Sequence, residues 1–194
     1  MRLIKHHIWW AFMALIGFSG CHHSSQKSLP VLSKSEIELR PNEGRYYHLG
    51  QEFTGIAQSH NAQGMLVEEE VFEMGVRAGL RKKWYDHGQI SYEAYYIKGK
   101  LNGPSRTWWA NGNLRSESNF QEGVATGTQK QWYQSGAMFK EINLVNGKEE
   151  GMQRAWRENG KLYNNYEARN GRIYGLKRAN LCYELDNEEV QYAD

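Results

Sequence analysis

The sequence predicts an all-β fold, an elongated single-layer antiparallel sheet of stacked β-hairpins with a 24-residue period. Sixteen of the 20 glycines fall into three columns with that period, and Trp84, Trp108, Trp132 and Trp156 form a fourth column. The chain is also rich in Trp and Tyr and poor in Pro, which is typical of β-rich proteins. A single hairpin cannot bury its apolar face, but a stack can. We therefore expect the four tryptophans to form the structural core.

Each repeat reads as two short strands joined by a glycine-containing loop. The loops D-H-G, A-N-G, Q-S-G and E-N-G fit a type I turn followed by a left-handed glycine, which makes a three-residue loop with a bulge. That loop opposes Trp84 to Ile90, whereas a two-residue turn would oppose Lys82 to Glu93. Burying an aromatic–aliphatic pair contributes about 1.5–3 kcal/mol per side chain, and an exposed ion pair contributes about 0–1 kcal/mol. The bulged register is therefore predicted.

The repeats occupy the middle of a chain that divides into five segments. We predict an export signal at 1–20, a flexible tether at 21–36, an N-terminal cap at 37–54, five repeats at 55–175, and a C-terminal cap with an acidic tail at 176–194. The first repeat has His60 in place of the tryptophan, and the last has Asn165 in place of a glutamate. Terminal repeats are commonly atypical in this way because they cap the array.

The N-terminal segment has the features of an export signal. Arg2 and Lys5 precede an apolar run of 11 residues, Ile8–Phe18, which is too short to span a bilayer of about 30 Å comfortably. The run ends in F-S-G-C, which resembles the lipobox of bacterial lipoproteins. The resemblance implies cleavage before Cys21, lipidation of its thiol and anchoring at the cell envelope, in the outer membrane if the source is Gram-negative. An ordinary secretory signal and an uncleaved anchor are the alternatives.

Loss of the export signal changes the charge of the chain. Removal of Arg2 and Lys5 lowers the 24 basic residues to 22, which equals the 22 acidic ones. A neutral mature chain lacks the positive field that attracts phosphate backbones. We therefore expect no nucleic-acid partner.

The full repeat pattern, G-x4-W-Y-x2-G-x-L-x2-E-x2-F-x2-G-x3-G, runs from Gly55 to about Gly175. It resembles the MORN-repeat variants of bacterial proteins, where MORN stands for membrane occupation and recognition nexus. The resemblance implies stacked β-hairpins that bind or scaffold other molecules without catalytic residues. Bacterial relatives are often described as antitoxins. An exported lipoprotein could not neutralise a cytosolic toxin, so an immunity role at the envelope is the related possibility.

The sequence offers little catalytic or metal-binding chemistry. It has no H-E-x-x-H, no phosphate loop and no G-x-S-x-G. His87 beside Asp86 is the nearest approach to a base with an orienting carboxylate, but adjacent turn residues usually point apart. His22 and His23 lack further ligands. We predict no catalytic site, no metal site and no cofactor.

Two repeating surface columns are candidate binding residues. Lys82, Arg106, Lys130 and Arg154 form a basic column that could meet anionic lipid headgroups or an acidic partner. The aromatic column of Tyr85, Trp109 and Tyr133 either forms an exposed platform for sugar rings or a protein, or covers the second face of the sheet. The function predicted first is a lipid-anchored, non-enzymatic binding or scaffold module for a protein partner at the envelope. The alternative is cell-wall or polysaccharide binding through the aromatic column.

Overall fold

The computed structural model describes residues 28–176. The predicted export signal, the lipidation at Cys21, the first part of the tether and the acidic tail lie outside these residues. The described part is all-β, as predicted, with one short 3-10 turn at Lys34–Glu36. No helix within it is long and apolar enough to cross a bilayer.

Within residues 28–176, seventeen strands make two sheets, and the strands are numbered in chain order. Their bounds are β1 Val31–Ser33, β2 Glu38–Arg40, β3 Arg45–His48, β4 Gln51–Glu52, β5 Gly55–His60, β6 Leu66–Glu73, β7 Val76–Trp84, β8 Ile90–Ile97, β9 Lys100–Trp108, β10 Leu114–Gln121, β11 Val124–Ala125, β12 Gly127–Trp132, β13 Met138–Val145, β14 Lys148–Glu149, β15 Gly151–Trp156, β16 Leu162–Arg169 and β17 Arg172–Leu176. The large sheet has 14 strands, of which 12 follow the order β1-β5-β6-β7-β8-β9-β10-β12-β13-β15-β16-β17. Apart from the parallel β1–β5 pair, its pairings are antiparallel, so the predicted stack of hairpins is confirmed.

The loop within each repeat has the predicted three-residue form. In the second repeat Tyr85 N–H donates to Gln89 O, Gly88 N–H donates to Tyr85 O, and Gly88 is left-handed with φ 86°. The same bonds recur at the corresponding loops of the other repeats. Only a residue that tolerates positive φ fits the last loop position, which explains the second glycine column.

The two strand registers that were predicted as alternatives occur together in the hairpin of β7 and β8. Trp84 opposes Ile90, and Lys82 also opposes Glu93, because the register shifts between these pairs. Ser91 is the extra residue of this bulge. A β-bulge changes the pairing by one residue, so both the apolar pair and the charged pair are accommodated. Treating the two pairs as mutually exclusive was therefore wrong.

Successive repeats are joined by a second kind of turn, which explains the third glycine column. At Met74–Gly75 both residues have positive φ, 46° and 75°, and Glu73 opposes Val76. A two-residue hairpin turn with positive φ at both positions is type I′, whose twist matches that of the strands. The equivalent turns of the later repeats are Lys98–Gly99, Glu122–Gly123, Asn146–Gly147 and Asn170–Gly171.

The N-terminal cap is a separate three-stranded sheet of β2, β3 and β4. Tyr46 N–H donates to Gly75 O, and Gly75 N–H donates to Phe53 O, which ties the cap to the first repeat. Phe53 is buried against Phe72, with ring centroids 5.8 Å apart. The cap therefore closes the apolar end of the repeat array.

The structure differs from the prediction of a flexible tether at 21–36. Val31–Ser33 pairs in parallel with β5, and Lys34–Glu36 forms the 3-10 turn with a capping box at Ser33. Pairing with β5 satisfies backbone groups that would otherwise lie at an open sheet edge. The end of the predicted tether is thus part of the folded array.

The two faces of the large sheet differ in burial. Directly opposed residues share a face and successive residues alternate. We call the face that carries Glu70 and Ala94 the inner face, and the face that carries Lys82 and Glu93 the outer face. The buried side chains of the repeats lie on the inner face: Ala57, Glu70, Phe72, Ala94, Gln129, Gln153, Ala155, Tyr166 and Ala168.

The tryptophan column is less enclosed than expected. Trp84, Trp108, Trp132 and Trp156 are all half-buried, and none is among the fully buried side chains of residues 28–176. They do oppose the aliphatic partners expected of them, such as Ile90. A single-layer sheet has no second layer of protein to cover such side chains, which leaves them partly accessible.

Candidate binding surfaces

The basic column lies in a ladder of alternating charge on the outer face. Lys82, Arg106 and Lys130 each lie opposite glutamates on both neighbouring strands, and Arg154 lies opposite one glutamate and Asn165. The ladder runs Glu69, Lys82, Glu93, Arg106, Glu117, Lys130, Glu141 and Arg154. The closest pair joins Arg106 Nε to Glu117 Oε2 at 2.7 Å, and Lys82 Nζ lies 3.6 Å from Glu93 Oε2. Opposite charges across strands stabilise the sheet and cancel much of the field that would attract anionic lipid.

The aromatic column links each repeat to the next. Its members are half-buried, and each donates a hydrogen bond to the backbone carbonyl of a tryptophan 23 residues further on. The bonds are Tyr85 Oη to Trp108 O (2.7 Å), Trp109 Nε1 to Trp132 O (3.1 Å) and Tyr133 Oη to Trp156 O (3.0 Å). The polar edges of the three rings therefore hold adjacent loops together. The choice between an exposed binding platform and a cover for the second face stays a prediction for these residues.

Trp109 also lines a depression between the third and fourth repeats, which we call the Trp109 pocket. Its volume is about 470 Å³, and it is lined by Thr107, Trp109, Arg115, Ser116, Gln131, Trp132 and Phe139. Thr107 Oγ1 and Ser116 Oγ are 2.6 Å apart, and the Arg115 guanidinium lies 4.6 Å from the centre of the Trp109 ring. The pocket combines hydroxyl and amide groups with aromatic walls.

A buried ionic cluster lies on the inner face at the N-terminal end of the array. Glu70 is fully buried, and Glu68 beside it has a side chain that is 14% exposed. The ion pairs are Lys34 Nζ to Glu68 Oε2 (2.5 Å) and to Glu70 Oε2 (2.5 Å), Arg77 Nε to Glu70 Oε1 (2.7 Å), Arg81 Nε to Glu70 Oε1 (2.9 Å), Arg81 Nη2 to Glu68 Oε1 (2.6 Å) and Lys83 Nζ to Glu68 Oε1 (3.3 Å). Lys34 brings the N-terminal segment into this cluster.

The cluster is held in its charged form. Burial opposes ionisation of Glu68, but hydrogen bonds from Lys34 and Arg81 outweigh it and hold the pKa of Glu68 at about 2. The pKa of Glu70 is lowered in the same way, since Lys34 and Arg77 overcome the effect of burial. Burial and the hydrogen bond to Tyr96 raise the pKa of Tyr92, beside the cluster, to about 12. Both carboxylates therefore stay ionised at neutral pH and act as structural anions.

Sequence reasoning missed this cluster, although a signal was present. The positions equivalent to Glu70 in later repeats hold Ala94, Ser118, Ile142 and Tyr166. A charge at a position that is otherwise small or apolar indicates a local partner, because buried charges require one. Comparing the columns for exceptions, as well as for matches, would have identified it.

The candidate catalytic pair of His87 and Asp86 does not form in the structure. His87 Nε2 lies 3.0 Å from Ala110 O, while Asp86 Oδ1 accepts from Asn61 Nδ2 at 3.1 Å. The two side chains thus have different partners and do not form a base with its carboxylate. Among residues 28–176, no group of three or more His, Cys, Asp or Glu side chains could hold a metal ion.

Comparison with known proteins identifies part of the array. Residues 77–98 and 101–122 match the MORN repeat variant. These ranges fall within the second and third of the five hairpins that the sheet contains. Among curated proteins, none matches the chain at a significant level. The chain therefore carries MORN-variant repeats at 77–122, and such repeats are generally associated with binding and scaffold roles.

Proposed function

We propose that this chain is a lipid-anchored, non-enzymatic binding module at the bacterial cell envelope, and that it presents the outer face of its sheet to a protein partner. The observation that carries the proposal is the extended outer face of the 14-stranded sheet, where large apolar side chains lie beside the charge ladder. An immunity or antitoxin-like role is one form that such binding can take.

Exposed apolar residues recur along this face, and the second repeat contains a directly opposed pair of them. Leu80 and Tyr95 oppose each other and are 44% and 43% exposed. The next pair of these strands on the same face is Lys82 and Glu93. Protein interfaces combine exposed aromatic or aliphatic anchors with a surrounding polar rim, and aromatic residues contribute strongly to binding. The Leu80–Tyr95 patch has this composition, and the mixed-charge ladder supplies orientation.

The membrane part of the proposal rests on the F-S-G-C sequence and the charged, apolar segment before it. Mass spectrometry of the mature N-terminus should find Cys21 as the first residue with acyl groups attached. The Cys21→Ser variant should leave the membrane fraction. A mature chain that begins elsewhere, or a variant that stays with the membrane, would contradict the lipid anchor.

Site-specific photocrosslinking in cells tests the partner surface. A photoreactive phenylalanine analogue is placed at Leu80 or at Tyr95, with Ile173 as the control because it is 44% exposed and lies on the inner face, opposite Ala168. The proposal expects one envelope protein to crosslink to both positions in the patch and not to Ile173. Equal crosslinking at all three positions, or none at the patch, would count against the outer face as the binding surface.

A further inference from the structure

We propose that the Trp109 pocket binds a single sugar residue that carries a carboxylate group. The floor of this pocket lies on the inner face, whereas the proposed protein partner meets the outer face, so the two proposals stand separately. The inference also replaces the idea of a glycan lying along the whole aromatic column. Only Trp109 of that column lines the pocket.

The floor of the pocket offers the polar groups that sugar hydroxyls need. Thr107 opposes Ser116 across β9 and β10, and Ser116 opposes Gln131 across β10 and β12. The three side chains therefore stand next to one another on three strands. Two hydroxyls and an amide can each donate and accept hydrogen bonds. This matches a ligand whose ring hydroxyls both donate and accept.

The walls of the pocket are aromatic. Trp109, Trp132 and Phe139 line it from two successive repeats. Aromatic rings offer apolar faces on which the C–H groups of a pyranose ring can pack. The volume of about 470 Å³ falls within the range of about 300–1,000 Å³ that is usual for small-molecule sites. A flat ring with an apolar face and polar edges suits both the walls and the floor.

Arg115 supplies the preference for an acid. It is the only charged residue lining the pocket, and within residues 28–176 it makes no ion pair. Arg115 is the extra residue of the β-bulge between Leu114 and Ser116, and bulges commonly redirect a side chain at a binding site. A guanidinium pairs well with a carboxylate because its planar donors match the two carboxylate oxygens.

The combination occurs in one repeat only. The positions equivalent to Arg115 hold Val67, Ser91, Phe139 and Tyr163, and those equivalent to Trp109 hold Asn61, Tyr85, Tyr133 and Arg157. In the neighbouring repeats, Lys83 and Gln131 stand at the position of Thr107, and Tyr92 and Lys140 stand at the position of Ser116. A residue set present once marks a single site, in contrast to the charge ladder that recurs in each repeat.

The test is a ligand-observed NMR titration of the full chain with methyl β-D-glucuronide, compared with the neutral methyl β-D-glucoside. The glucuronide should bind with a dissociation constant of about 1 mM or lower and at least several times more tightly than the glucoside. Arg115→Ser, which installs the residue of the preceding repeat, should weaken glucuronide binding about tenfold, equivalent to about 1.4 kcal/mol. It should leave glucoside binding unchanged, and Arg115→Lys should restore part of the preference.

The controls separate binding from folding. Lys161→Ser removes an exposed cation from another repeat and should leave both dissociation constants unchanged. The double variant Thr107→Ala/Ser116→Ala should weaken both sugars, because the floor contacts the hydroxyls that they share. The circular dichroism of each variant should match that of the unaltered chain. Equal binding of the two sugars, absence of binding, or an unchanged Arg115→Ser variant would overturn the proposal, whatever the crosslinking at Leu80 and Tyr95 shows.

Discussion

Replacement of Glu70 by Gln should destabilise the N-terminal end of the array more than any single change on the outer face. Glu70 is fully buried and lies 2.5–2.9 Å from the cationic nitrogens of Lys34, Arg77 and Arg81. Glutamine keeps nearly the same volume, so little cavity is created. The substitution removes one of the two anions that balance four cations in the cluster. The four cations, whose side chains are 19–43% exposed, are left with only Glu68 to neutralise them.

The size of the effect can be estimated from the geometry. Removing one partner of a buried ion pair costs about 3–5 kcal/mol, because the other charges lose their compensation. The matched control is Glu69→Gln at the next position on the outer face, where Glu69 accepts a hydrogen bond from Gln58 at 2.8 Å and opposes Lys82. Partly exposed pairs of this kind contribute about 0–1 kcal/mol. The two variants should therefore differ by about 2–4 kcal/mol.

Urea unfolding with native-state hydrogen exchange measures the difference. Repeat arrays need not unfold in two states, so the amides of β1 and β5 are the most direct probe. Exchange there should accelerate in Glu70→Gln, because Lys34 holds the adjoining segment to this cluster. If Glu70→Gln and Glu69→Gln proved equally stable, the buried network would contribute no more than a surface pair, and the reasoning would be refuted.

Three further predictions concern the same array. The pKa of Glu68 is lowered from 4.5 to about 2, so ionised Glu68 contributes about 3 kcal/mol to the free energy of unfolding. This contribution is complete above about pH 5 and is lost as the pH falls toward 2. The stability of the Glu68→Gln variant should therefore depend less steeply on pH in acid. Tyr85→Phe removes the 2.7 Å bond to Trp108 O and should cost about 1 kcal/mol in urea. Gly75→Ala should be more destabilising than Gly171→Ala by about 1 kcal/mol or more. Both glycines have positive φ, 75° and 74°, but only at Gly75 would a Cβ lie 2.9 Å from a backbone oxygen. Equal melting temperatures for the two alanine variants would contradict this.

The elements that could be predicted from the sequence are those that recur. Gly88 and its equivalents predicted both the loop length and its left-handed residue, because that conformation restricts the residue type. The pairing of Trp84 with Ile90 followed from the loop. Coexistence with the Lys82–Glu93 pair could not be anticipated, since the bulge at Ser91 depends on packing between strands and leaves no mark in residue type.

The elements that could not be predicted depend on single residues and distant contacts. β1 pairs with β5 although more than 20 residues and the cap separate them, and no local pattern reports such pairing. Lys34 looked like part of a polar tether because its partners, Glu68 and Glu70, occur in only one repeat. The Trp109 pocket was missed for the same reason. Each of its residues belongs to a column of equivalent repeat positions, but the pocket is formed by residues that differ from the others in their column.

These exceptions form two separate sites, one at the N-terminal end of the array and one between its third and fourth repeats. In a repeat array each unit contacts only its neighbours, so energetic effects decay along the sheet. The ionic cluster involves β6 and β7, whereas the Trp109 pocket is built from β9, β10, β12 and β13. Strand β8 lies between them and links them through Tyr92, whose ring centre lies 5.7 Å from the Arg81 guanidinium and which opposes Thr107 of the pocket floor. Residues that share a contact partner can be coupled energetically. The N-terminal repeats hold Lys34 and the adjoining β1 in place by ion pairs, and Tyr92 is the contact through which a change in the cluster would reach the Trp109 pocket.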